Sequence, residues 1–272
     1  MLNNELLGKF LRKRRERLRP EDVGLPGSSR RRVAGLRREE VAMLAGLSVD
    51  YYGQIERGET AMISPEILTT LGKALRLNPE ETLYLRKISA PDFFAHESFE
   101  TEPEPIRPSL QAVLDASTLP TRIRDYCITE VGSNRAARAL YQPLFENPIA
   151  KNNMALFTFL CPEAKDFFLD WDVIARGLTA TLRMNYAVSD KKSVIFDFVK
   201  KLKEDSPEFK ELWEDQDVLN HSSGYKDLNH PVLGRIELDY EGMALASPSD
   251  WIMYTYVPRP GYEDKVAALN TL

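Results

Sequence analysis

The chain has 272 residues, 43% of them hydrophobic, and a formal net charge of −5. That length predicts two domains, each able to bury its own core. No apolar run approaches the roughly 18 residues of a membrane span and the amino terminus lacks the apolar stretch of a signal peptide, so the expected class is a cytoplasmic globular protein with no membrane partner. Cys127 and Cys161 are the only cysteines; they are too few and too far apart for a disulfide scaffold or a Cys-x-x-Cys zinc site, and read as core thiols. The charge is uneven: the first 92 residues carry 17 Lys and Arg against 13 Asp and Glu, a net +4, while the remainder carries −9. A basic amino-terminal part is where a phosphate-bearing partner is expected.

In chain order, Leu7, Phe10, Leu11 and Leu18 predict a first helix over residues 6–18, which also carries the basic run from Lys9 to Arg15. Pro20 and Pro26 bound a loop, followed by a second basic cluster at Arg30, Arg31 and Arg32. Residues 36–58 then read as two short helices joined by a tight turn. Val41, Leu44 and Ala45 recur at helical spacing, Gly46 supplies the positive φ that ends a helix, and Ser48 caps the next. The second helix, over residues 49–57, keeps Tyr52 and Ile55 for the core and has the length to lie in a DNA major groove. Ser64-Pro65-Glu66 and Asn78-Pro79-Glu80 each open a further helix, so five short helices are expected by residue 89.

By the docking geometry of such a pair of helices, Ser48, Val49, Asp50, Gly53 and Gln54 face the groove of double-stranded DNA. The Gln54 amide suits adenine N6 and N7, Asp50 either accepts from cytosine N4 or complements the helix dipole, and Val49 suits a thymine methyl. Arg37, Arg38 and Arg57 are expected at phosphates; Arg37 stands where a capping Ser or Thr is usual, and pairing of Arg57 with Glu56 or Glu59 is expected to be geometrically poor. Arg30 to Arg32 are either a solvated loop or a phosphate or minor-groove contact.

Between about residues 91 and 108 the periodicity fades and prolines alternate with glutamates, which predicts a linker; Phe93, Phe94 and Phe99 imply that part of it packs. Beyond it, Leu110, Val113 and Leu114 mark a helix, and residues 121–130 carry enough β-branched residues for one or two strands, with Arg122 and Arg124 flanking the first. A helix over 134–140 and a mostly helical stretch over 152–202 follow. Ser206-Pro207-Glu208 starts another helix, and His230-Pro231 is expected to open a strand. Residues 235–240 and 251–257 alternate as antiparallel sheet. The fold class expected is therefore multidomain, an all-α five-helix unit and then an α+β domain.

These residues carry two resemblances. Residues 36–58 resemble the DNA-binding domain of Xre/Cro-type repressors, through Arg38-Glu39-Glu40-Val41-Ala42 and Glu56-Arg57-Gly58. The wider strings LRREEVAMLAGLS, DYYGQIERG and SPEILTTLGKALRL are similar to MmyB-like regulators, a bacterial family linked to antibiotic and lipid metabolism. That similarity continues at Asp170-Trp171, Leu182-Arg183, residues 206–209, Leu212-Trp213, His230-Pro231 and residues 234–239. It implies a helix-turn-helix domain over 1–90, a linker over 91–108, and a PAS-like domain over 109–272 that binds a small apolar ligand of the long-chain fatty-acid type. An acyl ligand needs an apolar wall and one polar anchor. Tyr126, Phe157, Trp171, Leu178 and Tyr254 are the expected wall. Arg176 and Arg183 on the Trp171 helix, and Arg122 and Arg124 flanking the first strand, are the candidate anchors, Arg183 preferred because it belongs to the matching Leu-Arg pair, with a structural salt bridge as its alternative.

An enzymatic second domain is the rival class. His221 and His230 with Asp217 or Asp227, or Ser222 and Ser223 beside His221, lack any catalytic or metal-binding motif, so no catalysis, metal or cofactor is expected. The function read from the chain is a one-component transcription regulator that forms a homodimer on a palindromic site. The alternative is a DNA-binding protein whose second domain recruits a protein without a small ligand.

Overall fold

The computed structural model describes residues 2–26, 33–60, 62–89, 105–189, 191–217, 223–246, 248 and 250–272. The chain divides into two compact units, residues 1–95 and 96–272. The first is all-helical: α1 (Leu2–Arg17), a 3-10 turn over Pro20–Val23, α2 (Arg38–Ala45), α3 (Val49–Glu56), α4 (Pro65–Ala74) and α5 (Pro79–Ser89). α3, α4 and α5 each have an identifiable start. The Ser48 hydroxyl accepts from the Tyr51 N–H at 3.1 Å, and Ser64 accepts from Ile67 at 3.4 Å. Asn78 and Glu81 exchange side-chain-to-backbone bonds at 2.8 and 2.9 Å, a full capping box. The stripes meet in one core, where Phe10 of α1 sits edge-on to Tyr84 of α5 with ring centres 5.1 Å apart, beside the buried Leu11, Val41, Tyr52, Ile55 and Leu71. α1 crosses α3 closely because Gly8 has no side chain; a Cβ there would lie 2.3 Å from the Glu56 carbonyl oxygen.

The second unit is α+β. It runs α6 (Pro108–Asp115), β1 (Thr121–Arg124), β2 (Glu130–Ser133), then α7 (Arg135–Leu140), α8 (Gln142–Glu146), α9 (Met154–Leu160), α10 (Glu163–Phe167), α11 (Trp171–Val188), α12 (Lys192–Asp205) and α13 (Pro207–Glu214). β3 (Ser223–His230), β4 (Gly234–Ala244), β5 (Ile252–Pro258) and α14 (Glu263–Ala268) complete it. The five strands form one antiparallel sheet in the order β2-β1-β5-β4-β3. Both of its faces are covered near β1. Ile123 joins Leu114 of α6 and Trp251 in a small core on one face, and Arg122 and Arg124, which alternate with it, are buried on the other.

Two expectations are corrected here. Pro108, placed at the end of the linker, is the first residue of α6, and Ile106 packs against the Leu114–Ile123–Trp251 core; residues 90–104, with the three phenylalanines, lie outside the described residues. His230 closes β3 rather than opening the next strand. Its Nδ1 accepts from the N–H groups of Val232 and Leu233 at 3.2 and 3.1 Å, so Nε2 carries the proton donated to the Ala139 carbonyl at 2.9 Å. The ring is thus a hairpin latch, spent on backbone. β3 itself was not anticipated. Its inward positions are Lys226, Leu228 and His230, so the apolar alternation that marks a strand is missing from SGYKDLNH.

Candidate DNA-facing helix and ligand cleft

In the first unit, Gly46 adopts φ 68° and ψ 32°, which ends α2 and turns the chain into α3. Tyr52 and Ile55 are buried, while Ser48, Val49, Asp50 and Gln54 are exposed along one side of α3. Gly53 does not join them. It is buried under its neighbour, since a Cβ on it would stand 3.1 Å from Arg57 Nη1.

The arginines are less free than their sequence positions imply. Glu56 lies wholly buried and accepts from Arg15 Nε at 2.6 Å and from Arg38 Nε at 2.7 Å. Burial alone would push its carboxyl up; the two guanidiniums outweigh that and hold it below the ordinary range. Arg38 is therefore anchored at its Nε with its side chain 45% exposed. Arg57 pairs with Glu59 through two bonds of 2.8 and 2.7 Å. The expectation of poor geometry is corrected for a simple reason: α3 ends at Glu56, and residues 57 and 59 are off the helical spacing. The pair is exposed, so it opens at little cost when a phosphate competes. Arg37 caps nothing with its side chain; its N–H donates to Glu40 at 2.7 Å, and its guanidinium stands 3.6 Å from Glu39 at the surface. Along α1 the basic run is largely consumed internally, through Lys9–Glu5, Arg12–Glu16, Arg14–Glu81 and Arg15–Glu56 pairs. Arg30, Arg31 and Arg32 lie outside the described residues.

The second unit carries a shallow cleft, open to solvent, between α11 and the sheet. Val173, Ile174, Gly177, Leu178 and Thr181 form the helical wall; Tyr225, Tyr240, Tyr254 and Tyr256 come from the strands together with Arg124 and Lys226. At the rim the Tyr225 hydroxyl reaches Asp170 at 3.3 Å, bridging β3 to the start of α11.

Behind the cleft lies a buried ionic group. Arg122 pairs with Glu130, donates from Nε to the Tyr256 hydroxyl at 2.8 Å, and stacks 4.2 Å from the Tyr141 ring centre. Arg124 lies 4.1 Å over Tyr254, and Lys226 Nζ stands 5.5 and 5.6 Å from the rings of Phe168 and Tyr240. Among the described residues no carboxylate or carbonyl accepts from the side chain of Arg124 or Lys226, and Arg124 Nε is buried without an acceptor. Three cations thus surround one carboxylate, which meets Arg122 through Oε1 and leaves Oε2 buried without a partner. Burial pushes Lys226 well below its ordinary range, and Arg122 and Arg124 push the same way against Glu130. Burial likewise raises the Glu130 carboxyl.

Of the residues expected around a ligand, only Leu178, Tyr254 and Arg124 line this cleft. Phe157 is fully buried in an aromatic cluster, 6.0 and 5.9 Å from the ring centres of Phe167 and Phe168. The Trp171 indole donates to the Thr158 carbonyl at 3.0 Å and is covered by Lys165. Tyr126 offers its carbonyl to Asn185 at 2.9 Å. Arg176 is exposed, 3.7 Å from Asp217. The preferred anchor, Arg183, is corrected: its guanidinium donates to the carbonyls of Trp213 at 2.6 Å, of Leu212 at 3.4 Å, and of Asp217, and it stacks 4.7 Å from the Trp213 ring. It closes the carboxyl end of α13, where orphan carbonyls and the helix dipole both favour a cation. Of the cleft's own cations, Arg124 is among the expected anchors but ranks behind the Leu-Arg pair, and Lys226 gives no signal in the sequence because β3 shows no alternation.

No group of three His, Cys, Asp or Glu side chains among the described residues is placed to hold a metal, and no described helix is long and apolar enough to cross a membrane. Comparison with curated proteins finds no match. Residues 6–85 match a family described as a helix-turn-helix domain. Residues 106–272, more than half of the chain, match the family described as the MmyB-like transcription regulator ligand binding domain. A helix-turn-helix unit joined to that second unit, with its five-stranded antiparallel sheet and open cleft, makes this chain a member of the MmyB-like transcription regulators.

Proposed function

We propose that the protein is a one-component regulator that binds operator DNA through α3 and senses an acyl acid, of the long-chain fatty-acid class, in the cleft between α11 and the sheet. Val49, Asp50 and Gln54 read base edges, with Ser48 beside them and Arg37, Arg38 and Arg57 at phosphates. A homodimer matches a palindromic site, since one such module covers little DNA. The strand order β2-β1-β5-β4-β3, with the helices inserted after β2, supports a PAS-like reading of the second unit.

One observation carries the ligand class. The cleft joins an apolar wall of Val173, Ile174 and Leu178 to two nearly buried cations, Arg124 and Lys226, that lack an acceptor. That is the chemistry of a chain with an anionic head. Native mass spectrometry of the full-length protein tests it. A mass excess that disappears on denaturation and is recovered as an acyl acid is the expected result. A bare chain that still retains a protein partner in pull-down overturns the sensor in favour of recruitment.

A further inference from the structure

We infer that Lys226 is the proton-coupled half of the head-group site: when an acid docks between Arg124 and Lys226, one proton moves from solvent onto the Lys226 amine, and acid affinity therefore falls as pH rises. This rests on the acid-binding reading above and adds a regulation of that site.

Lys226 stands among unbalanced charges. From β1 it faces Arg122 and Arg124, both cations, and from β2 the carboxylate of Glu130. Glu130 is held in contact by Arg122 through Oε1 while its Oε2 is buried without a partner, so one carboxylate stands against three cations. Asp125, in the turn between β1 and β2, acts on Glu130, but one of its oxygens accepts from the N–H groups of Cys127 and Thr129 at 2.8 Å each. The strands β4 and β5 present phenols, Tyr240, Tyr254 and Tyr256, and Tyr141 adds one more behind Arg122. α11 offers no titratable group to the cleft.

An ammonium at residue 226 is thus 8% exposed, beside two guanidiniums, with no anion of its own. A buried charge of that kind sheds its proton unless a counter-charge is supplied. Burial and the two arginines lower the Lys226 affinity for protons in the empty cleft. A carboxylate entering beside Arg124 reverses both the imbalance and that shift. The balance is simple: acid anion, uncharged amine and one proton from the buffer give an ion pair, with no other bond made or broken.

Calorimetry of the full-length protein with dodecanoate, in buffers of different ionisation enthalpy at one pH, reads the proton directly. The expected result is uptake of about one proton per dodecanoate and an affinity that falls up to about tenfold per pH unit. Dodecanol is expected to bind without uptake. Lys226→Arg, whose guanidinium stays charged, is expected to bind dodecanoate with no uptake and a flat pH profile. Should that variant fail to fold, Lys226→Gln, which cannot be charged, is expected to lose the uptake and to keep only the reduced preference for acid over alcohol that Arg124 alone supplies. Dodecanoate binding by the parent protein without uptake overturns the inference and leaves the acid-binding reading standing. Uptake that persists unchanged in Lys226→Arg places the proton on Glu130 and overturns it too. If no dodecanoate binds at all, reading and inference fall together.

Discussion

Arg183→Ala separates the two roles that the sequence allowed for this residue. The guanidinium is 1% exposed and makes strong bonds to the carbonyls of Trp213 and Asp217, with a longer one to Leu212. A hydrogen bond to a charged group contributes about 1.5–3 kcal/mol, and the stack on Trp213 adds about 0.5–2 kcal/mol. The terms are not additive, because the freed carbonyls regain some water. Two such bonds, discounted for that, set the loss at roughly 3–5 kcal/mol, which in a unit of this size lowers Tm by about 10 °C. The assay is unusually clean: Trp171, Trp213 and Trp251 are the chain's only tryptophans and all lie in the second unit, so a fluorescence melt follows that unit alone. Arg183→Lys is expected to recover only part of the loss, since an ammonium cannot span several carbonyls. A variant that melts within about 1 °C of the parent, yet loses dodecanoate and keeps dodecanol, would refute the helix-closing role and restore Arg183 as the head-group anchor.

Gly8→Ala places a Cβ 2.3 Å from the Glu56 carbonyl; overpacking of this sort costs about 1–3 kcal/mol, and far-UV circular dichroism should show the helical unit melting earlier while the tryptophan transition stays put. Gln54→Ala is expected to lose discrimination at one base-pair position by roughly 1–3 kcal/mol, whereas Arg57→Ala weakens all sites alike; an unchanged selection profile for Gln54→Ala means that α3 docks differently. Burial pushes the Cys161 thiol up to about 11 and raises Cys127 as well. Both should resist a thiol reagent in the native chain at pH 8 and react on unfolding. Because each is protonated in the fold at a pH where the unfolded thiol ionises, second-unit stability should fall as pH rises above about 9. A denaturant midpoint that holds steady from pH 8 to pH 10 argues against that burial.

Local chemistry is what made the first unit legible. Helix starts at Ser48, Ser64 and Asn78 and the stop at Gly46 are decided within four residues of chain, so the residue types alone locate them. The same holds for Ser206 before α13 and Asn134 before α7, whose side chains cap the following helices. Ion pairing was not legible. Glu56 meets Arg15 across 41 positions, a proximity that only the crossing of α1 over α3 creates, and Arg57 finds Glu59 because α3 stops one residue earlier than its pattern suggests. In the second unit the sequence determined an antiparallel sheet and a set of helices, and tertiary structure decided which way the sheet faces. Arg122-Ile123-Arg124 alternates as an outward-facing polar pair around a core residue. In the folded unit all three are buried, because α6 covers one face and the aromatic rings of Tyr141, Tyr254 and Tyr256 receive the guanidiniums on the other. A strand covered on both sides has no solvent face to mark in its pattern. Arg124 therefore sits on a buried face that its own alternation does not mark, made by Tyr254 from β5, more than a hundred residues away.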